Sequence, residues 1–387
     1  MAFTSTPKPP RSADPYRVML VDDSAVIRGL FARSLESDPE VQVVASVGDG
    51  QMAVNALAKD KGKIEVIVLD IEMPRMDGLT ALPELLKIDP DVPVVMASTL
   101  TARNADISLK AMSLGAKDYI PKPSSMRELS AAEAFKQELL AKVKSLGAAR
   151  RRKTGAPPRP RFSVERAAGA PRTQAPAPAA KPSTPVSLRP AGRRVPQVLC
   201  IGSSTGGPQA LFKVLGGLPK TLRLPILLTQ HMPATFTPIL ADHITRSTGW
   251  QCVEAADGMP VQPGRVHLAP GDYHMMVERA GGGPVLRLNQ GPPENFCRPA
   301  VDPMLRSAVA AWNGQALALI LTGMGHDGQK GAEALVEAGG TVIAQDEASS
   351  VVWGMPGAVA RAGLCTAVLP LEQIAAWIDK QTQRWAA

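Results

Sequence analysis

The sequence is poor in the residues that mark disulfide-rich, metal-cluster and membrane proteins. Its four cysteines, Cys200, Cys252, Cys297 and Cys365, are far apart and form neither a paired metal-ligand spacing nor a dense disulfide framework. No apolar run reaches the roughly eighteen residues of a membrane span, and the polar, proline-rich start of the chain lacks the apolar stretch of a signal peptide. These absences predict reduced thiols, no membrane insertion and a cytoplasmic protein.

Acidic residues are scarce in one segment, between Gly147 and Arg194. Twelve Lys or Arg residues and the single acid Glu165 give it a net charge of about +11, whereas the whole chain carries +8. The rest of the chain is therefore not basic, which argues against a general nucleic-acid-binding surface. Because the segment is rich in proline and alanine, we predict a flexible linker over residues 147–194. A docking or nucleic-acid-binding role for its basic run Arg150–Lys153 is the alternative.

Before the linker, five short apolar runs alternate with amphipathic segments. The first run, Tyr16–Val21, leads into the helix-like segment Ala25–Leu35, and the last helix-like segment is Met126–Leu146. Apolar strands separated by amphipathic helices are typical of a parallel sheet that is covered on both faces. The pattern predicts a five-stranded parallel (βα)5 domain over residues 16–140, with functional groups at the carboxyl ends of its strands.

The alternation restarts after the linker and predicts a second, doubly wound α/β domain over residues 195–387. Its first strand-like run is Val198–Ile201, and its last helix-like segment is Leu371–Trp385. Between residues 252 and 290, strand-like runs that begin with Val266–Ala269 are broken by Pro-Gly, Gly-Asp and Gly-Gly-Gly-Pro turns. These runs predict a β-hairpin insertion, which we expect at one edge of the sheet.

Polar side chains stand at the expected strand ends of the first domain. Asp22 and Asp23 follow its first strand, and Asp70 follows its third, so the three carboxylates should converge. Oxygen ligands of this kind favour Mg²⁺, and Asp70, alone at its strand end, is the predicted phosphoryl acceptor. Ser98 and Lys122, after the fourth and fifth strands, supply a hydroxyl and an ammonium for phosphoryl oxygens. Taken singly, each residue could instead be a helix cap or a surface charge.

Taken together, these residues resemble the receiver domain of two-component response regulators. The resemblance rests on Asp22-Asp23, the run from Asp70 to Gly78, Ser98 and Lys122-Pro123, and it covers roughly residues 16–140. It implies phosphorylation of Asp70 by a histidine kinase and readout of the phosphoryl group by Ser98 and Lys122. It also implies that Mg²⁺ is held by Asp22, Asp23, Asp70 and the carbonyl of Glu72.

A second chemical site is indicated by the loop Gly202-Ser203-Ser204-Thr205-Gly206, which lies between an expected strand and an expected helix. A glycine-rich turn of this kind can bind phosphate on free backbone amides, and the Gly-x-Ser-x-Gly pattern can hold a nucleophilic serine on a tight bend. The loop lacks the Gly-Lys-Ser/Thr ending and the Gly-x-Gly-x-x-Gly pattern, so nucleotide binding is the weaker interpretation. A serine that only caps the helix is the third possibility.

A nucleophilic serine needs a base, and the base needs an acid to orient it. His231 follows the next strand and Asp327 follows a later one, so both are expected at strand ends near the serine loop. Other histidines are less well placed, because His243 lies in an expected helix, and His267 and His274 lie in the expected hairpin insertion. Asp327 could instead cap a helix.

These segments together resemble the catalytic domain of the chemotaxis protein-glutamate methylesterase family, CheB. The resemblance rests on residues 201–208, on Gln230–Pro233 with Phe236-Thr237, and on Leu321–Gly328. With the receiver and linker it extends from about residue 16 to the end of the chain. It implies Ser204 as nucleophile, His231 as general base, Asp327 as the residue that orients His231, and the Met324 amide as an oxyanion donor.

Two residues depart from the family pattern. Ser203 stands where the family often has alanine, and His326 stands where it often has asparagine, so each lies beside a catalytic position as a rival. The middle position of Gly-x-Ser-x-Gly favours Ser204 as nucleophile. His326 is joined directly to Asp327, so we do not expect it to turn back as the partner of that carboxylate.

The resemblance implies hydrolysis of γ-glutamyl methyl esters on methyl-accepting chemotaxis receptors, with release of methanol, and deamidation of receptor glutamines. It implies no cofactor for the esterase step, activation by phosphorylation with a chemotaxis histidine kinase as phosphodonor, and recruitment to membrane receptor arrays. The competing hypothesis is a response regulator whose output is binding to DNA or protein. No helix-turn-helix pattern with a basic helix is present in the second half of the sequence, which disfavours a DNA-binding output.

Overall fold

The first domain is a five-stranded parallel sheet in the order β2-β1-β3-β4-β5, which confirms the predicted (βα)5 fold. The computed structural model describes residues 12, 14–122, 129–155, 186–192 and 194–386. The strands are β1 (Tyr16–Val21), β2 (Val41–Val47), β3 (Val66–Asp70), β4 (Val94–Ser98) and β5 (Asp118–Pro121). The helices are α1 (Ala25–Leu35), α2 (Gly50–Lys59), α3 (Gly78–Ile88), α4 (Ala102–Ser113) and α5 (Leu129–Lys153).

Side-chain caps start four of these helices directly after the strand-end loops. The side chains of Ser24, Asp49, Asp77 and Thr101 accept hydrogen bonds from backbone amides in the first turns of α1, α2, α3 and α4. The central strands β3 and β4 are buried at every residue, because helices cover both faces of the sheet. The carboxyl ends of the strands therefore remain the part of the sheet where polar groups can collect.

Helix α5 is longer than the sequence pattern indicates, because it continues past residue 147 to Lys153. The basic side chains at its end pair with acids from distant parts of the chain, so this charged turn packs onto the protein instead of entering the linker. The pairs are Arg150–Asp89, Arg151–Glu65, Arg152–Glu347 and Lys153–Asp91. Arg150 and Arg151 are buried. These intramolecular pairs argue against a nucleic-acid-binding role for the basic run.

The second domain is built on a seven-stranded sheet in the order β14-β13-β12-β6-β7-β9-β8, in which every neighbouring pair is parallel. Its strands are β6 (Val198–Ser203), β7 (Ile226–Gln230), β8 (Cys252–Glu254), β9 (Val266–Leu268), β12 (Ala316–Ile320), β13 (Thr341–Gln345) and β14 (Ala367–Leu369). Its helices are α6 (Gly207–Gly217), α7 (Thr237–Thr248), α8 (Val301–Trp312), α9 (Gln329–Glu337), α10 (Met355–Arg361) and α11 (Leu371–Ala386). None of the described helices is long and apolar enough to span a membrane.

The predicted hairpin is present, but the expectation that it lies at an edge of the main sheet is wrong. Strands β10 (His274–Ala280) and β11 (Gly283–Asn289) pair as a separate antiparallel sheet that packs on α8. The Val277 amide donates to the Ser307 hydroxyl of α8 at 3.1 Å. The run at 266–268, expected in the insertion, forms β9 of the main sheet, where its buried side chains suit a strand covered on both faces.

The two domains contact each other through the α4–β5 side of the first domain. The rings of Tyr119 on β5 and Phe236 before α7 stack, with centroids 4.3 Å apart. His243 on α7 and Asp106 on α4 lie 2.7 Å apart. One apolar cluster extends from the helices of the first domain into the second. The receiver-like domain is therefore packed against the second domain in this structure.

Candidate active site

The structure brings together the three carboxylates predicted at the strand ends of the first domain. Oxygen atoms of Asp22, Asp23 and Asp70 lie within 4.8 Å of one another. Lys122 Nζ contacts Asp22 Oδ2 at 2.7 Å and Asp70 Oδ1 at 2.6 Å. A compact set of hard oxygen donors with concentrated negative charge is chemically suited to a divalent cation such as Mg²⁺.

Burial raises the pKa of Asp70 to about 6, with a further contribution from Asp22, although Lys122 acts in the opposite direction. Burial lowers the pKa of Lys122, but its hydrogen bonds to Asp22 and Asp70 outweigh this effect and raise the pKa overall. The ammonium therefore stays charged and neutralises part of the cluster.

The remaining predicted residues of this site lie around the carboxylates. Ser98 ends β4, is buried, and accepts a hydrogen bond from the Ser108 hydroxyl at 3.3 Å. Glu72 lies exposed two positions after Asp70. Pro123, quoted in the sequence pattern, lies outside the described residues.

In the second domain, the serine loop forms a tight turn from β6 into α6. Gly206 has a φ of 76°, a left-handed conformation that glycine adopts without strain. Ser203 is fully buried and its hydroxyl donates to Gln230 Oε1 at 2.7 Å. Ser204 is half-buried, and its amide donates to the Thr322 carbonyl at 3.0 Å. The two serines are therefore distinct, because Ser203 is enclosed in the protein and Ser204 is not.

His231 and Asp327 are hydrogen-bonded to each other, with His231 Nε2 2.7 Å from Asp327 Oδ2. His231 follows β7, and Asp327 lies in the loop between β12 and α9. The amides of Val301 and Asp302, in the first turn of α8, donate to the Asp327 carboxylate at 2.6 and 3.1 Å. A helix N-terminus favours negative charge, so α8 holds this carboxylate ionised and in place.

The pKa values of the pair follow from these contacts. Burial lowers the pKa of His231, but hydrogen bonds and charge interactions with Asp327 and Cys297 outweigh it and raise the pKa to about 10. Burial raises the pKa of Asp327, but His231 and the amides of Val301 and Asp302 outweigh it and lower the pKa. Because an ionised carboxylate only accepts hydrogen bonds, Nε2 of His231 carries the proton of this bond.

The second ring nitrogen of His231 contacts a thiol. Nδ1 lies 3.3 Å from Sγ of Cys297, which stands in the loop between β11 and α8. Among the residues that the structure describes, the Ser204 hydroxyl makes no hydrogen bond, to His231 or to any other group. The structure thus places Ser204, His231 and Asp327 in the loops that follow three neighbouring strands, but it joins only the last two directly.

The loop after β12 runs beside the serine turn. A Cβ atom added at Gly323 would lie 2.9 Å from the Ser204 Cβ, so the backbone there approaches the serine closely. Met324 follows, is half-buried, and packs against an apolar cluster that includes Val352 of the second domain and side chains of the first domain. His326 is exposed. This arrangement brings the backbone at Gly323 next to the serine and leaves His326 on the surface.

The other histidines make contacts outside this group. Burial lowers the pKa of His267 to about 4, and its Nε2 accepts from the Gln262 amide at 3.3 Å. His274 Nε2 lies 3.0 Å from the Pro292 carbonyl oxygen. Both are held inside the second domain by backbone contacts, as expected for structural residues.

The first domain contacts the serine loop directly. The Thr205 hydroxyl, next to Ser204, donates to Asp118 Oδ2 of β5 at 2.6 Å. Gln209 Nε2 on α6 donates to the Met112 carbonyl at 2.6 Å and to the Ala116 carbonyl. A displacement of the first domain would therefore change the surroundings of the serine.

Sequence reasoning missed two side chains of this site, Cys297 and Asn295. Asn295 Nδ2 donates to Asp327 Oδ1 and to Asp302 Oδ2, each at 2.9 Å. Both residues lie in an irregular loop with no hydrophobic period, and neither belongs to a motif. The only sequence feature that could have indicated Asn295 and Cys297 is their position shortly before α8, the helix whose N-terminal amides bind the Asp327 carboxylate.

Comparisons with known proteins agree with this organisation. The chain matches the response regulator receiver domain family over residues 18–133 and the CheB methylesterase family over residues 199–378. A protein of Rhodospirillum centenum named protein-glutamate methylesterase/protein-glutamine glutaminase of group 2 operon is 60% identical, over 99% of this chain and 98% of its own. A protein of Azospirillum brasilense named protein-glutamate methylesterase/protein-glutamine glutaminase is also 60% identical, over 96% and 94%. The catalytic domain of Thermotoga maritima CheB methylesterase matches with a TM-score of 0.47 and 40% identity, over 48% of this chain and 98% of that one.

The fold and the site define a two-domain response regulator whose second domain is a hydrolase of parallel α/β architecture. The full-length similarity identifies the family. The chain belongs to the CheB family of protein-glutamate methylesterases/protein-glutamine glutaminases.

Proposed function

We propose that the protein is a phosphorylation-activated methylesterase and glutaminase that acts on methyl-accepting chemotaxis receptors. The observation that carries the proposal is the 2.7 Å contact between His231 and Asp327 beside the Ser204 turn, in a chain whose relatives bear that name. The substrates are γ-glutamyl methyl esters and glutamine side chains of the receptors. The protein works in the cytoplasm, at membrane receptor arrays.

In the proposed reaction, Ser204 attacks the ester carbonyl while its proton passes to Nδ1 of His231. Asp327 holds the ring through Nε2 and stabilises the imidazolium, and the Met324 amide donates to the developing oxyanion. Among the described residues this amide has no backbone hydrogen-bond acceptor, which leaves it available. Collapse of the tetrahedral intermediate expels methoxide, which takes the proton from His231 and leaves as methanol.

The acyl-enzyme is hydrolysed by the same groups. His231 takes a proton from water, the hydroxide attacks the acyl carbonyl, and Ser204 leaves with that proton, which restores a glutamate. Glutamine follows the same route with ammonia as the leaving group. Before the first step Ser204 must replace Cys297 as the partner of Nδ1, because Cys297 occupies that nitrogen in this structure.

Regulation is proposed to act through the contact between the domains. Asp70 accepts a phosphoryl group from a chemotaxis histidine kinase, and Ser98 and Lys122 contact the modified group. Asp22, Asp23, Asp70 and the Glu72 carbonyl would hold Mg²⁺, which would neutralise part of the phosphoryl charge, and the cluster of oxygen donors fits this ion. Asp118 contacts Thr205 of the serine loop, so phosphorylation that weakens this docking opens the site.

The nucleophile is tested by measuring methanol release from methylated receptor. We expect Ser204→Ala to abolish release, because no other residue then forms the acyl-enzyme. Ser203→Ala is the matched control and should retain release, since the Ser203 hydroxyl is buried against Gln230. Undiminished release by Ser204→Ala would disprove the proposed mechanism.

A further inference from the structure

A tight turn carries an aromatic side chain beside the catalytic pair. The amides and carbonyls of Glu294 and Cys297 bond to each other reciprocally, at 3.1 and 2.9 Å, and close a two-residue turn. The two residues at its tip, Asn295 and Phe296, have φ angles of 51° and 64°. Two left-handed residues define the type I′ turn, whose second position normally favours glycine. Here a bulky phenylalanine occupies that position.

The phenylalanine ring has no packing that would explain its presence. Phe296 is 100% exposed, the highest exposure among the large hydrophobic residues that the structure describes. Left-handed backbone conformations are unfavourable for bulky residues, and such positions are concentrated at functional sites. An aromatic residue in a strained conformation, fully in water, therefore contributes nothing to the core.

Hydrogen bonds fasten the turn to the reacting groups. Asn295 donates to Asp327, and Cys297 contacts Nδ1 of His231. Glu294 is paired with Arg306 of α8 at 2.6 Å. Because these contacts hold both ends of the turn, Phe296 is fixed one residue from a side chain that touches the catalytic histidine. The first domain leaves it uncovered.

We propose that Phe296 is a substrate-binding residue that contacts an apolar side chain of the receptor close to the esterified glutamate. The inference rests on the proposed function, because it takes the ester-bearing protein as the occupant of the site. Adjacent Cα atoms are about 3.8 Å apart, so a ring one residue from Cys297 reaches only the substrate residues that flank the ester. Phe296 therefore contributes to recognition of the protein substrate and takes no part in the bond-breaking steps.

Two substrates distinguish recognition from chemistry. The full-length protein, activated with a phosphodonor and Mg²⁺, is assayed for methanol release from methylated receptor and from the γ-methyl ester of N-acetylglutamate. We expect Phe296→Gly to raise KM for the receptor about tenfold with little change in kcat, since truncation of an aromatic contact residue commonly has an effect of this size. Its kcat/KM for the small ester should stay within about twofold of the wild type.

The controls address folding and specificity. Glycine suits the type I′ turn, so Phe296→Gly should unfold at the same or a higher temperature than the wild type. Phe296→Leu should restore most of the receptor affinity. Val26→Ala, at an exposed apolar residue of α1, should leave the KM and kcat for both substrates unchanged. An unchanged receptor KM in Phe296→Gly, or an equal loss on both substrates, overturns the inference. Absence of methanol release from both substrates by the wild type would instead refute the proposed function.

Discussion

At the scale of the residue, the unusual contact is the thiol of Cys297 on the base nitrogen of His231. Interaction with Cys297 adds to that with Asp327 in raising the pKa of His231 to about 10, against the effect of burial. A protonated imidazole cannot accept a proton, so the proposed mechanism requires pH values at which His231 becomes neutral, or loss of one of its partners. Cys297 therefore lowers the fraction of His231 that is neutral and able to accept a proton at neutral pH.

This predicts a shifted pH profile when the thiol is removed. In Cys297→Ala the pKa of His231 should fall, because one of the two groups that raise it is gone, and the rising limb of kcat/KM for methanol release should move to lower pH. Cys252→Ala removes a buried thiol away from the histidine and should leave the limb in place. A profile that does not move in Cys297→Ala would contradict this account.

At the scale of the element, the turn between β3 and α3 positions Asp70. A Cβ atom added at Gly78 would lie 2.0 Å from the Asp70 carbonyl oxygen, whereas one added at Gly29 of α1 meets only the flexible end of Arg33 at 3.6 Å. Gly78→Ala should destabilise the first domain by about 1–3 kcal/mol, as overpacking does. Gly29→Ala should stabilise it by about 0.5–1 kcal/mol through helix propensity.

Both effects can be measured in the full chain by hydrogen exchange of the β3 amides. All five tryptophans lie after residue 195, so their fluorescence reports the second domain and should be the same in both variants. Equal β3 protection in Gly78→Ala and the wild type would show that the turn tolerates a side chain.

Sequence reasoning worked best for elements with a clear hydrophobic pattern. The strand ends that carry Asp22, Asp70 and His231 follow from continuous apolar runs, and the structure has these strands with small shifts of their ends. The basic turn at the end of α5 did not follow, because its partners Asp89 and Glu65 are distant in sequence.

The loops that carry Ser204 and Cys297 were predicted only in part. The alternation of a strand gives Ser203 and Ser204 opposite surroundings, so the buried and the accessible serine could be separated in principle. The position of Cys297 depends on how an irregular loop folds over α8, and no local pattern encodes that.

At the scale of the whole molecule, the first domain is docked against the serine loop. Gln209→Ala removes the hydrogen bonds to the Met112 and Ala116 carbonyls. A loss of about 1 kcal/mol of docking energy should raise the activity of the unphosphorylated protein about fivefold. Gln383→Ala loses only a hydrogen bond to Asp379 within α11 and should leave this activity unchanged.

Measurement of methanol release, which reports the activity of these variants, also tests the phosphorylation site. In Asp70→Asn the phosphodonor should no longer raise methanol release, because the acceptor carboxylate is absent, while the basal rate persists. Combining Asp70→Asn with Gln209→Ala should keep the elevated basal rate, because loss of the docking contact acts without phosphorylation of Asp70. A phosphodonor response in Asp70→Asn would exclude this residue as the acceptor.

The bond between Thr205 and Asp118 has a consequence that runs from the second domain to the first. Linkage is reciprocal: if phosphorylation favours the undocked arrangement to which receptor binds, then bound receptor favours the phosphorylated form by the same factor. The receptor would then act as an effector of the first domain, which in turn controls demethylation of the receptor. Its concentration would shift the balance between the phosphorylated and the unphosphorylated protein.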